Sequence, residues 1–265
     1  MKPIATSEIK LLQLNILKSV HNFCIDNNIR YSAAFGTLLG TIRHQGYIPW
    51  DDDIDIMIPR LDYERFISSF SDENYRVASN TSMASYYLPY AKVYDVRTKV
   101  NEHVEIPMDF GVNIDVFPLD VVPDSDKELA SLLKVKDFWN KIYNLKIVSV
   151  EKSRSWYKNV VLLIAHVLLA PWSIHIISEK LRSCAVRYSG MTTSRVGLVA
   201  QSDNNNREIW PLSVFAKYET RRFEDTEILV ISDYDHILKS IYGDYMQLPP
   251  VEKRITHHSF DAWWK

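Results

Sequence analysis

The sequence predicts an α+β fold in which a mixed β-sheet is flanked by helices and a helical segment is inserted or appended. Apolar residues recur at three- and four-residue steps over residues 7–28, as in an amphipathic helix. Short apolar segments bounded by polar turns follow over residues 31–120 and predict strands interrupted by brief helices. We expect a core over residues 1–124, a helical segment over residues 125–190, and C-terminal strands and a helix over residues 191–265 that complete the core.

Composition narrows the class of protein. The chain has 265 residues, of which 46% are hydrophobic, and this is enough for one full core. Its net charge of −2 argues against a nucleic-acid partner. Cys24 and Cys184 lack the spacing of a metal site, so we expect buried thiols in a reducing compartment. The first residues contain no apolar leader, and the cytoplasm is the expected location.

Residues 31–60 form the most informative stretch, with the sequence YSAAFGTLLGTIRHQGYIPWDDDIDIMIPR. The pattern predicts a strand, a tight turn at residues 36–37, a short helix, a loop and a second strand. Because side chains alternate along a strand, we expect Asp53 and Asp55 on one face, about 7 Å apart at Cα from two rises of about 3.3 Å. Ile54, Ile56 and Ile58 are then buried on the opposite face.

Two carboxylates this close repel each other unless a cation or a proton lies between them. A divalent cation such as Mg²⁺ takes carboxylate and phosphate oxygens as ligands. The upstream Gly36 lets the backbone approach a ligand closely, and the following helix N-terminus offers N–H groups to a phosphate. Together these features favour a metal-dependent phosphoryl-transfer site.

An acidic run is also typical of a solvated loop, but such a loop has no reason to alternate aspartates with buried isoleucines. A calcium-binding loop would need glycine at its sixth position and glutamate at its twelfth. Those positions hold Ile56 and Asp62, which excludes that class of site.

A further acidic position lies within residues 111–120, with the sequence GVNIDVFPLD. Asp115 stands in an apolar run, where a buried carboxylate needs a hydrogen-bond partner, an ion pair or a metal. As a third ligand on a neighbouring strand it would complete a metal site, and it could also take the proton of an acceptor hydroxyl. An aspartate that caps the next segment is an equally good interpretation. Lys92 could meet a phosphate, although the pattern alone favours a surface lysine.

The helical segment contains the most apolar run in the chain, VVLLIAHVLLAPW over residues 160–172. It is shorter than the roughly 20 apolar residues that span a bilayer, it contains His166, and Pro171 interrupts it. We therefore predict a buried core helix. The alternative is a helix that rests in a membrane interface with Trp156 and Trp172 at its ends.

The C-terminal part predicts strands and one more helix. Residues 195–231 have the pattern of strands and turns, including a hairpin. The helix that follows stops at Gly243, since glycine is typical just beyond a helix end. Adjacent histidines point apart on any regular element, so His257 alone is expected to line a site.

With both acidic stretches in view, the chain resembles the LicD family, whose relatives include fukutin-type proteins, within the nucleotidyltransferase superfamily. The resemblance runs from about residue 31 to residue 258 and leaves the helical segment unmatched. It is most specific over residues 36–55. The matching residues are Gly36-Thr37-Leu38-Leu39-Gly40 with Arg43, Ile48 to Asp55, Lys92 with Thr98, Ile114 to Asp120, Tyr242 to Tyr245, Leu248 to Pro250, and His257-His258.

The resemblance implies a nucleotidyltransferase-like core and a transferase that moves a phosphoryl-linked headgroup. The typical reaction passes phosphocholine from CDP-choline to a hydroxyl of a cell-surface glycan and releases CMP. The resemblance assigns Mg²⁺, or Mn²⁺ in its place, to Asp53, Asp55 and Asp115, which are also the catalytic residues. The residues expected to bind substrate are Gly36, Thr37, Arg43, Trp50, Asp52, Lys92 and His257.

Several details stay open at this level. Arg43 could neutralise a phosphate or lie exposed on a helix, and Trp50 could contact the cytosine or headgroup or pack beneath its loop. A lipid-linked acceptor would bring the enzyme to the inner membrane face. Phosphoethanolamine and a CMP-activated phosphonate fit as headgroups, because the motifs contact phosphates rather than what they carry.

Other reactions also compete. A nucleotidyltransferase proper would release pyrophosphate. A glycosyltransferase would use the paired acids to hold a nucleotide-sugar, although the third acid and the glycine turn disfavour it. A non-catalytic glycan- or lipid-binding protein is the alternative outside enzymes, and the retention of all three acids disfavours it.

Overall fold

The computed structural model describes residues 2–102, 104–150, 155–200, 205–255 and 260–265. Within these ranges the chain forms seven α-helices and twelve β-strands, which confirms the α+β class. The helices are α1 (Thr6–Asp26), α2 (Phe35–His44), α3 (Arg60–Ser69), α4 (Asp126–Ile147), α5 (Trp156–Leu168), α6 (Ile174–Ala185) and α7 (Tyr234–Tyr242). The strands are β1 (Lys2–Pro3), β2 (Ser32–Ala33), β3 (Asp55–Pro59), β4 (Tyr75–Ala78), β5 (Ala91–Asp95), β6 (Thr98–Asn101), β7 (Asn113–Val122), β8 (Arg195–Gly197), β9 (Ile209–Pro211), β10 (Tyr218–Phe223), β11 (Thr226–Ile231) and β12 (Asp261–Trp264).

The central sheet is mixed, as predicted. Its strands lie in the order β2, β3, β7, β5, β4, with β8 and β9 continuing from the far part of β7. Strands β3 and β7 run parallel, and the other pairs on this path are antiparallel. Because β3 and β7 are central, they are covered on both faces, and Ile56, Met57 and Val116 are all buried.

Helix α1 packs on this sheet through the apolar stripe that the sequence predicts. Ile16, Leu17 and Val20 are fully buried in the main core. The helix spans Thr6–Asp26, close to the range 7–28 that the apolar spacing predicts. Cys24 and Cys184 are buried free thiols.

The C-terminal strands close the fold around the N-terminal part of the chain. Strands β10 and β11 form the predicted hairpin, and β11 is tied to the β2 region because the Ile231 N–H donates to Ser32 Oγ at 3.0 Å. Strand β12 lies between β1 and β6 in a second, three-stranded sheet. Helix α7 ends before Gly243, whose φ of 68° suits a glycine, and this confirms the predicted stop. The division of the chain at residues 124 and 190 stays a prediction.

The helical segment differs from the prediction in one respect. The apolar run at residues 160–172 begins within α5, and that helix is not a buried core helix. Leu162 is its one buried residue, while Val167 and Leu168 are 73% and 72% exposed. The buried-core prediction was wrong because an apolar run has the same sequence pattern whether protein or something else covers it. Among the described residues, no helix combines the length and apolarity needed to cross a bilayer.

Candidate active site

The two acidic stretches meet in the central sheet. Asp55 is the first residue of β3 and Asp115 is the third of β7, and the register of this parallel pair places them directly opposite each other. Residues opposite each other in neighbouring strands point to the same side of the sheet, so the two carboxyl groups share one face. Of the two interpretations that the sequence left open for Asp115, the structure supports the position on a neighbouring strand.

The aspartates before β3 lie in a loop rather than in a strand. Strand β3 begins at Asp55, so the predicted strand was too long at its start. Burial still alternates along this loop, as the prediction assumed for a strand. Asp52 and Ile54 are buried, while Asp51 and Asp53 are half-buried. Asp51, Asp53 and Asp55 all line one large cavity.

Carboxylates cluster tightly in this loop. Among the described residues, the group of three potential ligands whose oxygens all lie within 4.8 Å of one another is Asp51, Asp52 and Asp53. This group shares only Asp53 with the predicted trio, which also contains Asp55 and Asp115. The assignment of the metal to Asp53, Asp55 and Asp115 stays a prediction, and the structure adds two acids beside it.

Asp55 experiences the charge of the neighbouring acids. Its pKa is raised well above the usual value, first by burial and then by repulsion from Asp53, Asp115 and Asp51. Lys92 opposes that shift. A buried carboxyl with three acidic neighbours is stabilised in its charged form by a nearby cation, so the donor set fits a divalent metal ion.

Gly36 and Thr37 support the acidic loop from helix α2. A Cβ atom on Gly36 would lie 2.3 Å from Asp51 Oδ2, so only glycine allows that carboxylate to approach the helix. The buried Thr37 Oγ1 accepts a hydrogen bond from the Asp55 N–H at 2.8 Å. The structure therefore gives both residues a positioning role, and their predicted contact with a substrate phosphate stays a prediction.

Lys92 lies among the acids of the sheet rather than at the surface. Its Nζ donates to Asp115 Oδ1 at 2.6 Å and to Asn113 Oδ1 at 3.1 Å, and Glu102 Oε1 is 3.6 Å away. Burial alone would lower the pKa of Lys92, but the carboxylates of Asp115 and Glu102 outweigh burial and raise it. The interpretation as a surface lysine was wrong, because β5 is an inner strand of the sheet. Lys92 supplies one positive charge to a strongly acidic region.

The cavity beside these acids has a volume of about 770 Å³. Five residues predicted for the site line it, while among the described residues Thr37, Asp52, Lys92 and Asp115 do not. His257 lies outside the described residues. The predicted residues that line the cavity are Gly36, Arg43, Trp50, Asp53 and Asp55.

Arg43 and Trp50 lie between the acidic loop and the C-terminal part of the chain. Arg43 Nη1 donates to the backbone oxygen of Tyr245 at 2.6 Å, which joins α2 to the segment after α7. Burial lowers the pKa of Arg43. The guanidinium of Arg254 lies 5.4 Å from the ring centroid of Trp50. Their predicted contacts with donor phosphate and headgroup stay predictions.

The opposite wall of the cavity was not among the predicted site residues. It consists of Tyr242 at the end of α7 and of the segment that follows, which includes Asp244 and Pro249. Asp51 was also missed as a lining residue. The signal was available, because residues 242–250 belong to the matched motifs, but the sequence does not show that this distant segment faces the aspartates.

Known proteins with similar sequences belong to the family that the motifs resemble. Residues 28–130 match the family described as LicD/FKTN/FKRP, nucleotidyltransferase domain. The lipopolysaccharide cholinephosphotransferase LicD of Haemophilus influenzae is 30% identical over 273 residues, which cover 99% of this chain and 99% of that protein. An uncharacterised protein of Rickettsia typhi is 40% identical over 84 residues, which cover 30% of this chain and 27% of that protein. The chain therefore belongs to the LicD family and is an enzyme of the LicD type, as its motifs predict.

Proposed function

We propose that this enzyme transfers phosphocholine from CDP-choline to a hydroxyl of a cell-surface glycan, with Mg²⁺ or Mn²⁺, and releases CMP. One observation carries the proposal. In a chain similar over its whole length to a lipopolysaccharide cholinephosphotransferase, Asp53 and Asp55 line a cavity of about 770 Å³. A cavity of that size accommodates a ligand as large as a nucleotide donor.

Asp53, Asp55 and Asp115 would hold the divalent cation, with Asp51 and Asp52 close enough to contribute. When bound, such a cation neutralises the charge of the donor diphosphate and of the departing phosphate. The protein contributes by holding the acids in position. Thr37 fixes the start of β3 through the Asp55 N–H, and Gly36 leaves room for Asp51.

The reaction forms one bond and breaks one. The acceptor oxygen bonds to the phosphorus that carries choline, the bond from that phosphorus to the bridging oxygen breaks, and CMP leaves with that oxygen. The hydroxyl proton passes to the Asp115 carboxylate, which Lys92 holds in place through a charge-assisted hydrogen bond of 2.6 Å. Most of the rate acceleration then comes from alignment and charge neutralisation.

Recognition of the donor would use the residues that line the cavity. Trp50 and Tyr242 offer aromatic rings to cytosine or to the quaternary ammonium of choline. Arg43 offers a planar cation to a phosphate. The acids of the loop add a favourable potential for the choline cation.

The test is product analysis with purified enzyme, CDP-choline and a lipopolysaccharide acceptor that lacks choline. We expect equimolar CMP and phosphocholine-modified acceptor by chromatography and ³¹P NMR, with loss of both products in EDTA. CDP-ethanolamine and a CMP-activated phosphonate, tested in parallel, identify the preferred headgroup. Release of pyrophosphate from CTP, without transfer from any of these donors, would overturn the proposal.

A further inference from the structure

Helix α5 presents a continuous apolar face to its surroundings. Eight large apolar side chains of this helix are exposed, with exposed fractions between 44% and 77%. Successive residues of an α-helix turn by about 100°, so these eight occupy one uninterrupted arc of about 160°. The residues of this apolar face are Trp156, Tyr157, Val160, Val161, Leu163, Ile164, Val167 and Leu168.

The opposite face of α5 packs against α4 and is the more polar of the two. His166 Nε2 lies 2.9 Å from the backbone oxygen of Leu145 in α4, and Leu162 is the buried apolar residue of this face. Lys146 of α4 donates from its Nζ to the backbone oxygen of Leu169, the residue that follows α5, at 2.9 Å. A surface helix normally turns its polar face outward. Helix α5 does the reverse, and contacts with α4 hold it in that orientation.

Charge indicates what covers the apolar face. Residues 125–190 contain eleven Lys or Arg and five Asp or Glu, a net charge of +6, whereas the whole chain carries −2. The remainder therefore carries −8. Lys141 and Lys158 are exposed and line a groove between α4 and α5, beside Val161 of the apolar face. Two copies of this basic segment would repel each other, which disfavours a second copy of the chain as the occupant.

Aromatic residues flank the same face. Trp156 begins α5 and is 77% exposed, and Trp172 follows the helix and is 42% exposed. The centroid of the Trp172 ring lies 5.5 Å from that of Trp139, so Trp172 packs against α4. Tryptophan rings beside lysines and an apolar helix face are typical of a helix that lies in the headgroup region of a bilayer.

We propose that α5 docks this enzyme on an anionic lipid bilayer. The helix lies parallel to the membrane plane with its apolar face among the upper acyl chains, and Lys141 and Lys158 contact anionic headgroups. At 13 residues α5 is about 20 Å long, so it rests on the bilayer without crossing it. This inference rests on α5 and its neighbours and does not depend on the proposed function.

The experiment measures co-sedimentation of the full chain with vesicles of phosphatidylglycerol and phosphatidylcholine, and with pure phosphatidylcholine. We expect binding to the anionic vesicles that weakens as salt rises. The double variant V167E/L168E should lose at least about a hundredfold in partition, since two side chains leave the lipid phase. The pair K141Q/K158Q should lose about 30-fold, from about 1 kcal/mol per lysine.

The matched control is L61E on α3, a change at a leucine that is 79% exposed and lies outside α5. It should bind vesicles as the wild type does, and thermal unfolding should show all variants folded. Equal binding by V167E/L168E and wild type, or no binding by wild type, would overturn the proposal. So would a wild-type dimer by light scattering that V167E/L168E converts to monomer, because a second copy would then cover the face.

Discussion

The two ends of the β3–β7 strand pair differ in whether their charges are balanced. At the start of β3 and β7, Asp55 faces Asp115, and the acidic loop adds more carboxylates. At the far end, Arg60 follows β3 and donates to both oxygens of Asp120 in β7, at 2.6 and 2.8 Å. The near end has an excess of negative charge with one lysine among it, while the far end is a matched ion pair.

The difference separates a site from a structural support. A buried carboxylate with a bidentate arginine has its charge balanced within the protein. Burial still raises the pKa of Asp120 to about 6, and Arg60 opposes that rise. Excess like charge in a cavity wall destabilises the fold, so its presence indicates a ligand that balances it. The comparison predicts that substitutions at one end change activity and that substitutions at the other change stability.

The largest effect is expected at the acidic end. Asp55→Asn should lower kcat at least about a thousandfold, because an amide is a much weaker ligand for a hard cation and balances no charge on the diphosphate. The thermal midpoint should stay the same or rise, since the change removes a buried charge that its neighbours repel. CMP release and thermal unfolding measure the two quantities. A variant that keeps wild-type kcat would remove Asp55 from the site.

The next effect belongs to the balanced end. Arg60→Met leaves the Asp120 carboxylate buried without its partner and should cost about 3–5 kcal/mol of unfolding free energy. The loss should be larger at pH 8 than at pH 5. Arg60 opposes the rise in the pKa of Asp120, so that pKa is higher still in the folded variant. The variant therefore loses more stability than the wild type as pH rises through this range. Urea denaturation at both pH values measures the loss.

The control for this prediction is the double variant R60M/D120N, which removes the charge together with its partner. It should recover most of the lost stability, and each folded variant should keep kcat within about twofold of wild type. A cost below about 1 kcal/mol for Arg60→Met would show that the ion pair is not the support described above.

A smaller effect is expected from the metal itself. At a Mg²⁺ concentration of about 100 times its Kd, the wild type should gain about 2.7 kcal/mol of stability relative to the same protein in EDTA. The gain should vanish in Asp53→Asn and persist in R60M/D120N. Differential scanning calorimetry measures it. An equal shift in Asp53→Asn would place the cation elsewhere.

The smallest effect concerns the link between α2 and β3. Thr37→Val removes the oxygen that accepts the Asp55 N–H and should cost about 1–2 kcal/mol, because a buried donor is left without a partner. Thr37→Ser retains the hydroxyl and serves as the matched control. Chemical denaturation separates the two variants. Equal stability of Thr37→Val and wild type would show that the hydrogen bond does not support the site.

Local patterns predicted much of this fold. The strand, helix, loop and strand over residues 31–60 follow from apolar spacing, and the structure has them in that order. The turn predicted at residues 36–37 was misplaced, because α2 begins at Phe35 and contains both residues. Helix α1 and the β10–β11 hairpin follow in the same way. The start of β3 was misplaced, because alternation of burial continues through the loop before Asp55. An alternating sequence does not show where strand pairing begins.

The sequence by itself determined the family and the α+β class and predicted the acids of the proposed site, because each depends on short motifs and on local apolar spacing. Only the tertiary structure decided that Asp115 lies opposite Asp55, that residues 242–250 form the other wall of the cavity, and that Lys92 lies among the acids. It also decided that α5 turns its apolar face outward. These facts depend on contacts between distant segments, and apolar spacing is the same whether a face meets the core, a bilayer or water.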